Sequence, residues 1–189
     1  MKLKERLQHL TIKRECRRLK LETFAFPASM QGSKRIMITL PQGIQTNSLL
    51  LRMITELPVI FPSSDLMIAV PTGATEIARK TGIHAMSPDL YANTYLGLPK
   101  KEFLHRVREF RASVLIDFET RKNVFNALVS LHSGASLRIG LADVWGIPVH
   151  NFLVRSGYQT DELKVYRSVV DLLTSIQLRS VSSERGDTN

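Results

Sequence analysis

The chain has 189 residues, 43% hydrophobic and 23% charged, a balance that suits one globular domain with a real core. Its 26 Lys and Arg against 17 Asp and Glu leave a net charge of +9, which favours anionic partners (nucleic acid, acidic lipid, phosphorylated sugar) without choosing among them. The single cysteine, Cys16, excludes an internal disulfide and a cysteine-rich zinc site, and no run has the roughly 20 apolar residues of a membrane span or the apolar core of a secretory signal.

Lys2, Lys4, Arg6, Lys13, Arg14, Arg17, Arg18 and Lys20 crowd into the N-terminal segment. Leu3, Leu7 and Leu10 stand there at i, i+4, i+7, which predicts a basic amphipathic helix. Such a helix docks on acidic membrane or nucleic acid, packs on the domain by its leucines, or stays a solvated arm. Residues 27–33 read as a linker, so residues 1–33 form a basic helix and linker ahead of a main domain over residues 34–178.

That domain opens with a strand over residues 35–40, broken by Pro41, Gln42 and Gly43. Thr46 or Asn47 caps a helix that carries Leu49, Leu50, Met53, Ile54 and Leu57 on one face. A turn at residues 61–64 leads to a second strand, residues 66–70, and then a short helix, residues 75–80, stopped by Gly82. Residues 85–87 read as a minor strand, and residues 91–99 have no clear period. A charged helix over residues 101–111 turns Phe103, Val107 and Phe110 inward.

Residues 113–141 are the most informative stretch. Val114, Leu115 and Ile116 form a short run, apolar on both faces, that ends in Asp117, as suits a covered strand of a parallel sheet. A polar loop, residues 119–123, precedes Val124, Phe125, Leu128, Val129 and His132 at helical spacing; Ser133-Gly134 stops that helix before a strand from Leu137. This is a βαβ unit with a charged loop at the carboxyl end of its first strand, the edge where open α/β sheets bind ligands. A short strand within residues 149–154 and a terminal helix, residues 161–176, complete the domain; residues 179–189 read as a disordered tail. The alternation predicts a doubly wound, mostly parallel Rossmann-like α/β sheet.

On that edge Asp117 binds a ligand or a loop backbone. Arg121 and Lys122 grip phosphates or remain solvated charges. Gln42, Gly43, Thr46 and Asn47 precede a helix N-terminus, which favours anions, though a turn alone would also require a glycine. His9, His84, His105, His132 and His150 have no metal-ligand spacing, and no nucleophile elbow, Walker loop or dinucleotide fingerprint occurs. No cofactor or metal is therefore expected. Trp145 reads as a packing anchor or an exposed contact.

Residues 34–176 resemble the N-terminal half of glycosyltransferase family 9, the heptosyltransferases of lipopolysaccharide synthesis. The likeness rests on Arg35-Ile36-Met37-Ile38, on Leu49-Leu50-Leu51-Arg52 followed by Phe61-Pro62, and on Leu115-Ile116-Asp117-Phe118-Glu119. Its most specific part is the run Asn126-Ala127-Leu128, Ser133-Gly134-Ala135 and Arg138-Ile139-Gly140. The resemblance implies one of two facing Rossmann-like domains, the acceptor-side lobe of a GT-B-type enzyme, without the lobe that holds the nucleotide-sugar.

Departures accompany the likeness. Where the family has a Gly-Asp pair whose aspartate is thought to be the catalytic base, this chain has Gly43 and Ile44, and no Asp or Glu lies between Arg35 and Leu51. Glu119 and Thr120 replace a Gln and a Gly of the family's strand-end motif, and Lys164 stands where a histidine often opens the terminal helix. The resemblance thus implies no catalytic residue, and candidate ligand contacts at Gln42, Gly43, Thr46, Asn47, Asp117, Glu119, Arg121 and Lys122.

Three functions follow as expectations. The chain is a degenerate acceptor-side domain that binds an envelope sugar-phosphate, a lipid-sugar or a protein partner (a second copy of itself included). Alternatively it is a working half-enzyme served by a separate donor-binding subunit, or a basic binder of membrane surface or nucleic acid. The expected location is cytoplasmic, or peripheral at the inner face of the membrane.

Overall fold

The computed structural model describes residues 3–19, 26, 28–31, 33–43, 48–88, 94, 96–141, 143–158 and 161–184. Its strands are β1 (Arg35–Thr39), β2 (Asp65–Ala69), β3 (His84–Met86), β4 (Val114–Asp117), β5 (Leu137–Gly140) and β6 (Phe152–Leu153). They form one six-stranded sheet in the order β3-β2-β1-β4-β5-β6, with every neighbouring pair parallel. Its helices are α1 (Leu3–Arg18), α2 (Ala28–Gln31), α3 (Ser48–Ile54), α4 (Leu57–Ile60), α5 (Ala74–Thr81), α6 (Lys101–Glu109), α7 (Val124–His132) and α8 (Glu162–Glu184). This is the Rossmann-like, doubly wound α/β architecture that the alternation of strands and helices predicts.

The central strands β1 and β4 are apolar on both faces because both faces are covered. In β1, Ile36 and Ile38 enter a core shared with Leu50, Ile54, Val169 and Leu173 of α3 and α8. Met37 points the other way, into a core with Leu115, Phe103, Val107 and Val129 under α6 and α7. There the rings of Phe103 and Phe125 stack at 5.4 Å. α7 is buried without a break from Phe125 to Leu131. Such a helix needs cover on the side away from the sheet. α1 supplies it: Ile12 is fully buried among Ala127, Leu128, Leu131, Trp145 and Val149.

Four readings of the sequence need correction. The leucines of α1 do not pack on the domain: Leu3 is 73%, Leu10 60% and Leu7 39% exposed. At 100° per residue Ile12, Cys16 and Leu19 lie on the opposite side, and that side meets α7. Within the expected linker, α2 puts Met30 fully into the sheet core and the Ser33 hydroxyl donates to Ser29 O, so the segment is docked. The helix expected through Leu57 divides into α3 and α4 because Pro58 occupies the first turn of α4, a place that suits proline. Its buried positions are Leu50, Leu51, Ile54 and Leu57, while Leu49 is 52% exposed. Finally, α8 continues to Glu184, through residues expected in the tail. No helix among the described residues is long and apolar enough to cross a membrane.

Candidate functional site

The strand order reverses between β1 and β4. β2 and β3 lie on one side of β1, while β4, β5 and β6 lie on the other. The loops that leave β1 and β4 therefore diverge, and the crevice at their carboxyl ends is where this architecture takes ligands. Parallel register sets Thr39 of β1 beside Asp117 of β4 at this crevice.

Asp117 is buried and holds a polar network together. Its Oδ1 accepts from Thr39 Oγ1 at 2.7 Å, Asn126 Nδ2 at 2.8 Å and the Glu119 backbone N–H at 3.1 Å. Its Oδ2 lies 3.1 Å from His150 Nε2. That contact is close, yet Nε2 has no acceptor in hydrogen-bonding geometry. It is a charge contact when the imidazole is protonated and not a directed bond. Asn126 Nδ2 also donates to Leu40 O at 3.0 Å, which ties α7 to the end of β1. Two acceptors on one NH2 fix the orientation of this amide. Asn126 Oδ1 and Ser130 Oγ, one turn apart on α7, are buried with no partner among the described residues.

Glu119 clamps the two diverging loops. Its Oε2 accepts from the Gln42 backbone N–H at 3.1 Å and from Asn123 Nδ2 at 3.0 Å. Its Oε1 accepts from the backbone N–H groups of Thr120 and Arg121, both at 3.1 Å. An ionised carboxylate offers about four lone-pair sites. Four internal donors therefore saturate Glu119. Asn123 continues the chain of bonds by capping α7: its side chain accepts from the Asn126 N–H at 3.2 Å.

Above this clamp lies a cavity of about 370 Å³ lined by Pro41, Gln42, Glu119, Thr120, Arg121, Lys122, Glu162 and Tyr166. Tyr166 reaches it from α8, edge-on to Phe118 with ring centroids 6.1 Å apart. Its phenol is pushed up to about 12, first by burial and then by Glu162 and Glu119, against a weaker opposing hydrogen bond with Thr120 and the charge of Arg121. The phenol is therefore a neutral group at the cavity floor.

Arg121 is 81% exposed at the side chain and pairs with Glu162 at 2.9 Å. Such a pair at the surface is worth little, on the order of 0–1 kcal/mol, so an incoming anion competes with Glu162 easily. Lys122 sets its ammonium 5.8 Å from the centre of the Trp145 ring, and the ring of His9 on α1 lies 6.3 Å from the same indole. Trp145 is buried, as a packing anchor should be.

The structure thus gathers Gln42, Glu119, Arg121 and Lys122 into one cavity, with Asp117 beneath it. Gly43 follows Gln42 in the turn and has φ of 81°, a left-handed conformation that favours glycine; a Cβ there would meet nothing within 4 Å. Thr46 and Asn47 lie outside the described residues. Sequence reasoning missed Thr39, His150 and Tyr166 and read Asn126 only as part of a run. Thr39 carried one signal, a polar residue at the end of an apolar strand. His150 carried none, because it and Asp117 stand 33 positions apart and nothing local pairs them.

Two further cavities lie outside the crevice. One of about 290 Å³ lies under the loop that carries Trp145, Gly146 and His150. One of about 550 Å³ lies between α1 and the end of α7, lined by Arg18, Arg108, His132 and Arg138. There Arg138 donates to Val149 O and Ala135 O, and Arg18 pairs with Glu15. No group of three or more His, Cys, Asp or Glu among the described residues is arranged to hold a metal ion. The chain matches no family model and no curated protein sequence.

Proposed function

We propose that this chain is a degenerate glycosyltransferase-like acceptor-side domain, which binds an anionic sugar-phosphate at the crevice between β1 and β4 without transferring sugar on its own. The fold and the cavity at its switch point support the binding half of this reading. Arg121 and Lys122 stand at the cavity rim. The guanidinium supplies a fork for phosphate oxygens and the ammonium a point charge.

The observation that carries the non-catalytic half is the saturation of Glu119. It is the carboxylate nearest the turn where a base would be wanted, and four internal donors occupy its oxygens. Asp117 is likewise held by Thr39, Asn126 and the Glu119 N–H, with His150 against its other oxygen. A base must offer a lone pair to the proton it removes. Glu119 can do so only by giving up a bond that holds the two loops together, and Asp117 Oδ2, which accepts no hydrogen bond from a described residue, is buried against His150. Ile44 adds no proton acceptor at the turn.

The test is a thermal-shift titration of the purified chain with hexose and heptose phosphates and with nucleotide-sugars. A ligand that prefers the folded state raises the melting temperature. The expected result is a rise with sugar-phosphates that Arg121→Ala with Lys122→Ala removes, and no sugar transfer to any acceptor. No shift with any sugar-phosphate rejects the binding half; transfer from a nucleotide-sugar by the chain alone rejects the rest.

A further inference from the structure

We infer that the outward face of α1 is a docking surface for anionic phospholipid. Among the described residues, α1 meets the domain along the side that carries Ile12. Ile12 is fully buried, with Cys16 and Leu19 packed beside it, and Gln8 Nε2 donates to Leu96 O at 2.8 Å. Glu15, on the same side, approaches His132 of α7 at 3.7 Å. The helix cannot roll its leucines inward without drawing Ile12 out of the core.

The other side presents Leu3, Leu7 and Leu10 to solvent, a stripe about 10 Å long. One exposed leucine is ordinary, but three in line at i, i+4, i+7 form a patch that asks for a partner. Arg14 continues the stripe one turn on, and Arg6, Lys13 and Arg17 flank it, all exposed. Arg6, Lys13 and Arg17 make no ion pair with any described residue. Within α1 six basic residues stand against two acidic ones, a net charge of +4.

Charge chooses the occupant. A second copy of the chain would bring another +4 helix against this one, so self-association is opposed. Nucleic acid would satisfy the arginines and lysines but not three bare leucine side chains. An anionic bilayer surface satisfies both: the leucines enter the boundary below the headgroups, and the flanking cations meet lipid phosphates. The stripe is short and the cations surround it, so the helix lies on the surface and does not cross it.

The test is flotation of the full chain with phosphatidylcholine vesicles, pure or containing phosphatidylglycerol. The chain should float with the anionic vesicles, less so as salt rises, and not with the neutral ones. Leu7→Glu with Leu10→Glu should reduce binding about tenfold or more and leave the melting temperature unchanged, since both positions are exposed. Arg6→Glu with Lys13→Glu should do the same. No preference for anionic vesicles, or undiminished flotation of the leucine variant, overturns the inference. So does a dimer that the leucine changes break without any vesicle binding, or retention on polynucleotide that those changes leave intact when no vesicles are bound.

Discussion

The imidazole of His150 occupies the space that a side chain at position 140 would need. A Cβ on Gly140 would stand 2.9 Å from His150 Cε1 and closer still to Nδ1 and Cγ. Position 140 is therefore glycine for want of room, and the vacancy is what lets His150 reach Asp117 from β6's side of the sheet.

Gly140→Ala should expel the ring from this place and break its contact with Asp117. Forcing one extra methyl into a packed site costs about 1–3 kcal/mol. The fall should appear in the denaturation midpoint. His150→Ala in the same chain should recover much of it, because the two sites share one space and their effects do not add. Equal losses in the presence and absence of the histidine would reject this account.

Glu119→Gln should also destabilise, for a different reason. The amide keeps one acceptor oxygen and turns an NH2 toward two of the four donors that Glu119 now receives. A fully buried donor left unpaired costs about 1–3 kcal/mol, and a donor in this half-buried turn costs less. Amide exchange should quicken at Gln42 or at Thr120 and Arg121, depending on which oxygen is lost. Unchanged exchange at all three would mean that another contact holds the loops.

Much of the fold was legible, and the reasons are particular. Residues 113–141 announced their βαβ unit because β4 is covered on both faces and so carries a short unbroken apolar run, with Ser133-Gly134 marking the stop before β5. The choice of face was not legible in α1. Leu3, Leu7 and Leu10 have the spacing of a buried stripe, yet Ile12 takes the buried position because α7 already presents Leu128 and Leu131 to meet it. The polar site was half legible. Its loop charges at Arg121 and Lys122 could be named from their place after a strand. Gln42 and Glu119 stood among the candidate contacts too, but the clamp between them spans 77 residues and nothing local pairs them.

Tyr166 sets an alkaline limit on stability. Its ordinary value is near 10, and burial chiefly pushes it up to about 12 in the fold. The unfolded chain thus gives up this proton first. Stability contributed by Tyr166 is complete below about pH 10 and is lost as pH rises through about 12. Tyr166→Phe should flatten that part of the stability curve. Tyrosinate absorbance in the wild type should show one phenol titrating late; a curve with every phenol near 10 would reject the shift.

His132 sets a limit in the acid range. Its imidazole is pushed below the usual 6.5, first by burial, while Glu15 opposes the shift and Arg108 and Arg18 add to it. A depressed histidine contributes stability that is present above about 6.5 and is lost as pH falls through its folded value. Glu15→Gln should lower the His132 titration further, because it removes the one group that favours the charged ring. An NMR titration of the ring resonances measures this, and an upward move would overturn the assignment.

Trp145 joins the first helix to the crevice. Its indole stands between His9 on the first helix and Lys122 at the rim of the crevice. It is also the chain's one tryptophan. Its emission is consequently a native optical gauge, sensitive on one side to what becomes of the leading helix and on the other to whatever the crevice captures, with no label attached.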